Sequence, residues 1–451
     1  MDFGNIFGDF VTAFGSAWND SRYFFELTWW IWVFLVLAPI FRNVWLFWRQ
    51  ELFRRDSKYA ILEMFIPREI EKGPRGMDQV FQAIGALENS CGDFEECYLD
   101  GEVPRPFTFE IVSFGGETHF YVRCYHKVKS LVQSAFLAHY PDLEIEEAED
   151  YMDKLPKSLE ELYSKNYDVY GTELVLVREA IYPTKTYLDF ETPDEEQRVD
   201  SIGAILEVMG KLKKDEFIGV QINAIGVGGS WLKDAEAKKK NKDGENYTDI
   251  IKRLQATRKE DKETGVINFE FRTPRQNEVL EAVESSISKP GFKCVIRLIY
   301  FSPKGVFYDS FPRRGIIGAF NQYSATDLNS FRQNFGMMTL TKVLFSPYVF
   351  SGLRAIIRKK RIIQYYRDRA IPTESVIGPT SMLGKWMKSH WLHWDATEFT
   401  TLTSTMLATI WHPPTKIVIT APHLRRSESR KGGPSSGLPI YGPEEDIKQF
   451  K

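Results

Sequence analysis

Seven basic residues crowd one late stretch of the chain: Arg354, Arg358, Lys359, Lys360, Arg361, Arg367 and Arg369. The single acid Asp368 stands against them, with Tyr365, Tyr366, Ile356, Ile357, Ile362 and Ile363 interleaved. Arginines among aromatics suit phosphate contacts with base stacking. They equally suit anionic lipid headgroups beneath a membrane, and a plain amphipathic helix with a charged outer face has the same pattern. All three readings stay open. Other chemistry is thinner. A phosphate-binding loop needs four residues between its first Gly and a Gly-Lys, then a hydroxyl for the metal; 378–385 (GPTSMLGK) has five, followed by Trp386. Gly226, Gly228 and Gly229 (AIGVGGSW) lack the dinucleotide spacing and read as a turn. His390 and His393, beside Asp395, give two metal-type ligands without a third at fixed spacing. No Ser, His and Asp grouping has a nucleophile-elbow context. The chain is therefore expected to be no enzyme, with no catalytic, cofactor-binding or metal-ligating residue.

The elements around these residues follow from composition and periodicity. The 451 residues carry 58 Lys+Arg and 61 Asp+Glu, a net charge of -3, so no whole-protein field draws the chain to a polyanion. Hydrophobic residues at 43% and charged residues at 26% exclude a disordered, collagenous or mucin-like chain. Four cysteines without a CxxC pair are too few for a disulfide scaffold, and reduced thiols are expected.

Residues 27–41 (LTWWIWVFLVLAPIF) carry no charge, and extending to Trp48 adds only Arg42. That length predicts a transmembrane helix over 23–48. Trp29, Trp30 and Trp32 near one end, and Trp45 and Trp48 near the other, would anchor it at the two headgroup levels. Arg42, Arg49, Arg54, Arg55 and Lys58 after the span, against Arg22 before it, predict a single-pass membrane protein. Its N-terminus lies outside and its bulk in the cytoplasm. Phe3, Ile6, Phe7, Phe10, Val11, Phe14 and Trp18 make 1–22 an amphipathic interfacial segment, or a helix packing on a partner.

The remainder reads as an α+β chain. Over 59–150 the patterns run strand, helix, two strands about Gly115-Gly116, helix and an acidic strand (EIEEAED). This βαββαβ order predicts a ferredoxin-like domain. A second, enlarged ferredoxin-like domain is expected over 168–330, with strands at 173–178, 186–190, 217–225 and 292–301. It carries a charged insertion at 231–263, a solvated helical pair or a partly disordered loop. A basic helical segment at 341–370 and a Pro-, Gly- and Ser-rich C-terminal region at 373–451, with a strand at 416–420, complete the chain.

Several segments then carry a family likeness: LEMFIPREIEKGPRGMDQVFQAIGAL, FTFEIVSFGGETHFYVR, VDSIGAILEVMGKLKKDEFIGVQINA followed by Trp231, FNQYSATDLNSF, ATIWHPP and RRSESRKGGPSSGLP. In order and spacing they resemble the amino-terminal, non-ATPase region of conjugation and type IV secretion ATPases of the HerA–FtsK superfamily, the TraG/TraD-like group. In those relatives a motor domain follows the Gly-Leu-Pro segment; here Lys451 comes a dozen residues after Gly437-Leu438-Pro439. The resemblance implies a non-catalytic scaffold or adaptor, anchored in a bacterial cytoplasmic membrane, that recruits a HerA/FtsK-like or TraG/TraD-like ATPase in trans. Arg425, Arg426, Arg430, Leu438 and Pro439 of the tail would dock that ATPase, and a homo-oligomer is implied by hexameric motors. Membrane lipids and DNA are the further partners expected. A membrane-tethered nucleic-acid-binding module using Arg354–Arg369 is the alternative.

Overall fold

Apolar residues alternate or run continuously through the central segments, and neighbouring segments satisfy each other's backbone as antiparallel strands. The computed structural model describes residues 22, 26–31, 33–34, 37–38, 41–42, 44–67, 72–87, 92–191, 199–227, 231–233, 241, 244–255, 258–260, 267–269, 272–307, 311–340, 351–371 and 397–415. The chain divides into two units. One comprises 1–58, 89–105 and 372–395, and the other 59–88, 106–371 and 396–451.

The larger unit is α+β. Its elements in order are β1 (Tyr59–Phe65), α1 (Pro74–Gly85), β2 (Phe107–Phe114), β3 (Glu117–Tyr125), α2 (Lys129–His139), β4 (Glu144–Glu147), α3 (Leu159–Ser164), β5 (Tyr167–Leu176), α4 (Gly203–Gly210) and β6 (Phe217–Gly226). There follow α5 (Tyr247–Gln255), β7 (Arg258–Glu260), β8 (Ile267–Phe269), α6 (Pro274–Ile287), β9 (Gly291–Pro303), α7 (Phe311–Phe320), β10 (Phe331–Gln333), α8 (Ser351–Arg367), β11 (Thr400–Thr403) and α9 (Ser404–Ile410).

Nine strands form one antiparallel sheet in the order β10-β5-β9-β6-β2-β3-β1-β4, with β11 beside the start of β9. The two expected domains are thus not separate sandwiches. Each half has the same internal order, counted outward from the middle: β2-β3-β1-β4 on one side and β6-β9-β5-β10 on the other. The halves meet through the β2·β6 pairing, Phe107↔Ala224 to Phe114↔Phe217, so a pseudo-two-fold axis passes between these strands. Counted this way, 227–290 is an insertion between the second and third strands of the second half. Part of it has a core of its own, where Trp231, Tyr247 and Ile250 pack with Ala180, Ile181, Tyr182 and Val283. The expected strand at 186–190 is instead a 3₁₀ turn, Tyr187–Asp189, closed by a capping box from Thr186.

One face of the sheet is apolar and covered by α1, α2, α4, α7 and α9, with Phe81, Phe109, Phe136, Phe292 and Trp411 buried at its centre. The opposite face is covered by α3, α8 and the 151–155 turn.

In the smaller unit, residues 44–56 are helical. Arg42 donates to the Tyr98 hydroxyl (2.6 Å from Nη2) and the Trp45 indole donates to the Tyr98 carbonyl (2.8 Å). Tyr98 belongs to a π-helical turn, Glu95–Asp100, and the Arg105 guanidinium lies 4.7 Å over the Phe53 ring. Among the described residues no helix is long and apolar enough to cross a membrane. This overturns the transmembrane helix over 23–48 and with it the single-pass inner-membrane localisation. The charge-free run ends at Phe41, so a full span has to run on through Arg42 to Trp48. The side chains meant to complete it, Arg42 and Trp45, are tied to Tyr98. Trp29, Trp30 and Trp48 are exposed, Trp45 is half-buried, and Trp32 lies outside the described residues. The thiols are not all reduced either: Cys97 is disulfide-bonded, whereas Cys124 and Cys294 are free and buried.

Candidate functional site

The face beneath α8 is organised in rungs, because directly paired residues on antiparallel strands share a side of the sheet. The first rung is Glu110↔Gln221↔Arg297↔Glu173, running across β2, β6, β9 and β5 and over the pseudo-two-fold axis. All four are buried to 1% exposure or less. Two residues along lies Val112↔Gly219↔Ile299↔Gly171, and two further lies Phe114↔Phe217↔Phe301↔Val169.

Buried charge is tolerated only when each donor and acceptor is satisfied. Arg297 meets that demand with five hydrogen bonds. Nε and Nη2 donate to Glu173 Oε1 (3.1 and 2.8 Å), Nη1 to Gln221 Oε1 (3.2 Å) and the Tyr365 carbonyl (2.9 Å), and Nη2 also to the Ala370 carbonyl (3.0 Å). Gln221 Nε2 donates to Glu110 Oε1 (2.7 Å) and to the Tyr366 carbonyl (3.0 Å). Arg369 forks two carboxylates, Glu110 (2.9 and 3.1 Å) and Asp150 (2.7 and 3.0 Å). Burial, the largest influence on Arg369, favours its neutral form; the Glu110 charge and the Asp150 hydrogen bond override this and hold its pKa well above the ordinary guanidinium value. Burial likewise acts to raise Asp150, and Arg369 outweighs it, leaving that carboxyl below the ordinary range.

The helix that delivers these groups ends in a particular way. The Arg369 N–H bonds the Tyr366 carbonyl and the Ala370 N–H bonds the Tyr365 carbonyl, the paired bonds of a Schellman ending. Its left-handed residue, normally glycine, is Arg369 at φ 49°. A non-glycine side chain costs about 1 kcal/mol or more there, and the fork to Glu110 and Asp150 is what repays it. The second rung seats the helix: a Cβ on Gly219 would stand 1.9 Å from the Tyr366 hydroxyl, and one on Gly171 2.5 Å from Ile362. The Tyr366 hydroxyl is within hydrogen-bond distance of that of Tyr151 (2.8 Å).

The basic residues singled out by sequence are largely engaged within the fold. Arg354, Arg358 and Arg369 are buried. Arg358 donates to the carbonyls of Phe335 and Met338 (both 3.0 Å) and Arg367 to those of Met152 (2.6 Å) and Leu155 (3.2 Å). Burial, then repulsion from Arg354 and Arg361, lowers Arg358 to about 10. Lys359 pairs with Asp168 (2.5 Å) and Lys360 with Glu160 (2.5 Å) at the surface. Arg361 is half-buried. His390, His393, the 416–420 strand and the tail residues Arg425, Arg426, Arg430, Leu438 and Pro439 lie outside the described residues. Among the described residues no group of three His, Cys, Asp or Glu is placed to hold a metal.

Sequence reasoning passed over Glu110, Glu173, Gln221 and Arg297. Their signal was present: each is a charged or amide residue inside a strand-like run, Arg297 most plainly near the middle of FKCVIRLIYF. The site as built can hold α8 in one register on the sheet. Comparison with protein-family models, curated proteins and solved structures returns no match for this chain.

Proposed function

We propose that the chain is a non-catalytic scaffold or adaptor of a type IV secretion or conjugative DNA-transfer apparatus, recruiting a separately encoded ATPase of the HerA–FtsK or TraG/TraD kind. The resemblance of its segments to the non-motor region of those ATPases supports this reading. The observation that carries it is the disposition of charge on the larger unit. Lys359 of α8 turns inward onto Asp168, and Arg369 just beyond the helix onto Glu110 and Asp150. Glu144 and Glu146 are exposed on β4, which among the described residues pairs with β1 alone and has no strand on its other side. An open edge strand is a surface for another chain, and carboxylates along it select a basic one. The nucleic-acid alternative has less support, since Arg354, Arg358 and Arg369 are buried and Lys359 and Lys360 are ion-paired.

The test is affinity capture of the tagged full-length chain from its native cells, with mass spectrometry of what is retained. A Walker-containing ATPase is expected. It should be lost when the tail beyond Ala421 is removed, and weakened by Glu144→Lys with Glu146→Lys. Recovery of no ATPase, or one indifferent to both changes, overturns the reading.

A further inference from the structure

The third rung opens a cavity that the α8 network does not use. Phe114, Phe217 and Phe301 stand side by side at the ends of β2, β6 and β9, and they floor a pocket of about 310 Å³ on the face shared with α3. Leu155 and Leu162, both buried, wall it. That volume is at the lower end of small-molecule sites. The floor is close-packed: Phe114 and Phe217 have ring centroids 4.8 Å apart and Phe217 and Phe301 5.6 Å apart. The loop bearing Lys214 is also pinned. The Gly115 N–H bonds the Glu216 carbonyl (2.9 Å), and Gly115, at φ +58°, admits the Lys214 backbone where a Cβ would lie 2.9 Å from its carbonyl oxygen.

The rim is cationic. Lys154, Lys165 and Lys214 line the pocket from the 151–155 turn, the end of α3 and the loop before β6. Lys165 pairs with Glu161 (2.9 Å), whereas Lys154 and Lys214 are exposed and have no ion-pair partner among the described residues. Two carboxylates also line it. Asp215 is exposed; Glu216 is buried with both oxygens engaged, Oε1 by the Tyr300 hydroxyl and Oε2 by the Lys213 N–H (each 2.8 Å).

We infer that this pocket binds a small amphipathic anion: an aromatic or aliphatic body on the three phenylalanines, with a carboxylate or like charge held between Lys154 and Lys214. The aromatic floor supplies affinity by burial, and the two lysines supply orientation and preference for an anion over a neutral molecule of the same shape. The inference is independent of the scaffold reading, since none of its residues lies on β4 or in the tail.

The test is calorimetric titration of the full-length protein with 1-anilinonaphthalene-8-sulfonate, beside N-phenyl-1-naphthylamine, the same ring system without the charge. Saturable binding at one site per chain is expected. Lys154→Gln with Lys214→Gln should weaken the sulfonate about tenfold while leaving the amine unchanged, and these exposed positions leave the fold intact. Leu155→Trp, which fills the cavity, should abolish both. No saturable binding overturns the proposal, as does sulfonate affinity unchanged by the paired lysine variant. Retention of both ligands by a folded Leu155→Trp protein would do so too.

Discussion

The two faces of the nine-stranded sheet solve burial in opposite ways. On one, five helices cover a field of aromatic and aliphatic side chains centred on Trp411. On the other, α8 is held by a rung of four buried polar residues and by Arg369. Apolar packing is non-directional and tolerates exchange at constant volume. Hydrogen-bonded charge is directional: it fixes a single register for the helix and penalises every other arrangement. The contrast teaches that the face under α8 adds a directional polar rung to an apolar cluster of its own.

The sharpest way to break that contrast is a mutant cycle across the first rung. Arg297→Met leaves Glu173 buried without its cation, and Glu173→Gln leaves Arg297 likewise; each should cost about 3–5 kcal/mol in urea denaturation. The double variant should fall short of the sum by at least about 1 kcal/mol, as for any pair in one network. Strict additivity would mean that the two residues stabilise separately and that the rung does not act as a unit.

A smaller effect comes from a charged contact on the helix-covered side, just beyond α9. His412 Nε2 lies 2.8 Å from Asp200 and Nδ1 2.8 Å from the Ala408 carbonyl, while the Thr415 N–H and hydroxyl both donate to Asp200 (2.8 Å each). Burial, the largest single influence, acts to raise Asp200; the His412 charge and hydrogen bond, with the backbone donors, outweigh it and hold the carboxyl at about 2 against an ordinary 3.8. A folded-state value below the unfolded one stabilises above the unfolded pKa and is lost as pH falls. The contribution, about 2 kcal/mol, is therefore complete above pH 4 and disappears between about pH 4 and pH 2. Urea midpoints through that window should fall more steeply for the native chain than for Asp200→Asn. Parallel curves would remove Asp200 from the account.

How much of this was legible beforehand follows the same division. Apolar periodicity located β2, β3, β6 and β9 closely, and Gly115-Gly116 marked the hairpin, because both signals are local. The joining of two halves into one sheet was not legible, since nothing within β2 or β6 states that Phe107 will face Ala224. The apolar run at 27–41 misled for a related reason: hydropathy counts residues but does not register that Arg42 and Trp45 engage Tyr98, over fifty positions away. The basic stretch left three readings open, because a list of arginines carries no sign of which way each points. Arg297, a charge near the middle of β9, implies a carboxylate buried with it elsewhere on the sheet.

Lys359 and Lys360 give that last point its smallest and cleanest test. They are adjacent, chemically identical and each ion-paired, yet the Lys359–Asp168 side chains are 12% exposed on both sides, while those of Lys360 and Glu160 are 54% and 64% exposed. Water screens the second pair and competes for both partners, so its bond adds little beyond the freedom the side chains lose in making it. Burial works against the Lys359 ammonium, but the Asp168 hydrogen bond and charge overcome it and raise its pKa above the ordinary lysine value. Lys359→Met should accordingly lower the urea midpoint. Lys360→Ser should leave it where it was, and should leave retention on a DNA column at low salt unchanged as well. A loss of DNA retention with Lys360→Ser, at constant stability, would show that the outer face of α8 contacts phosphate even though its inner face does not.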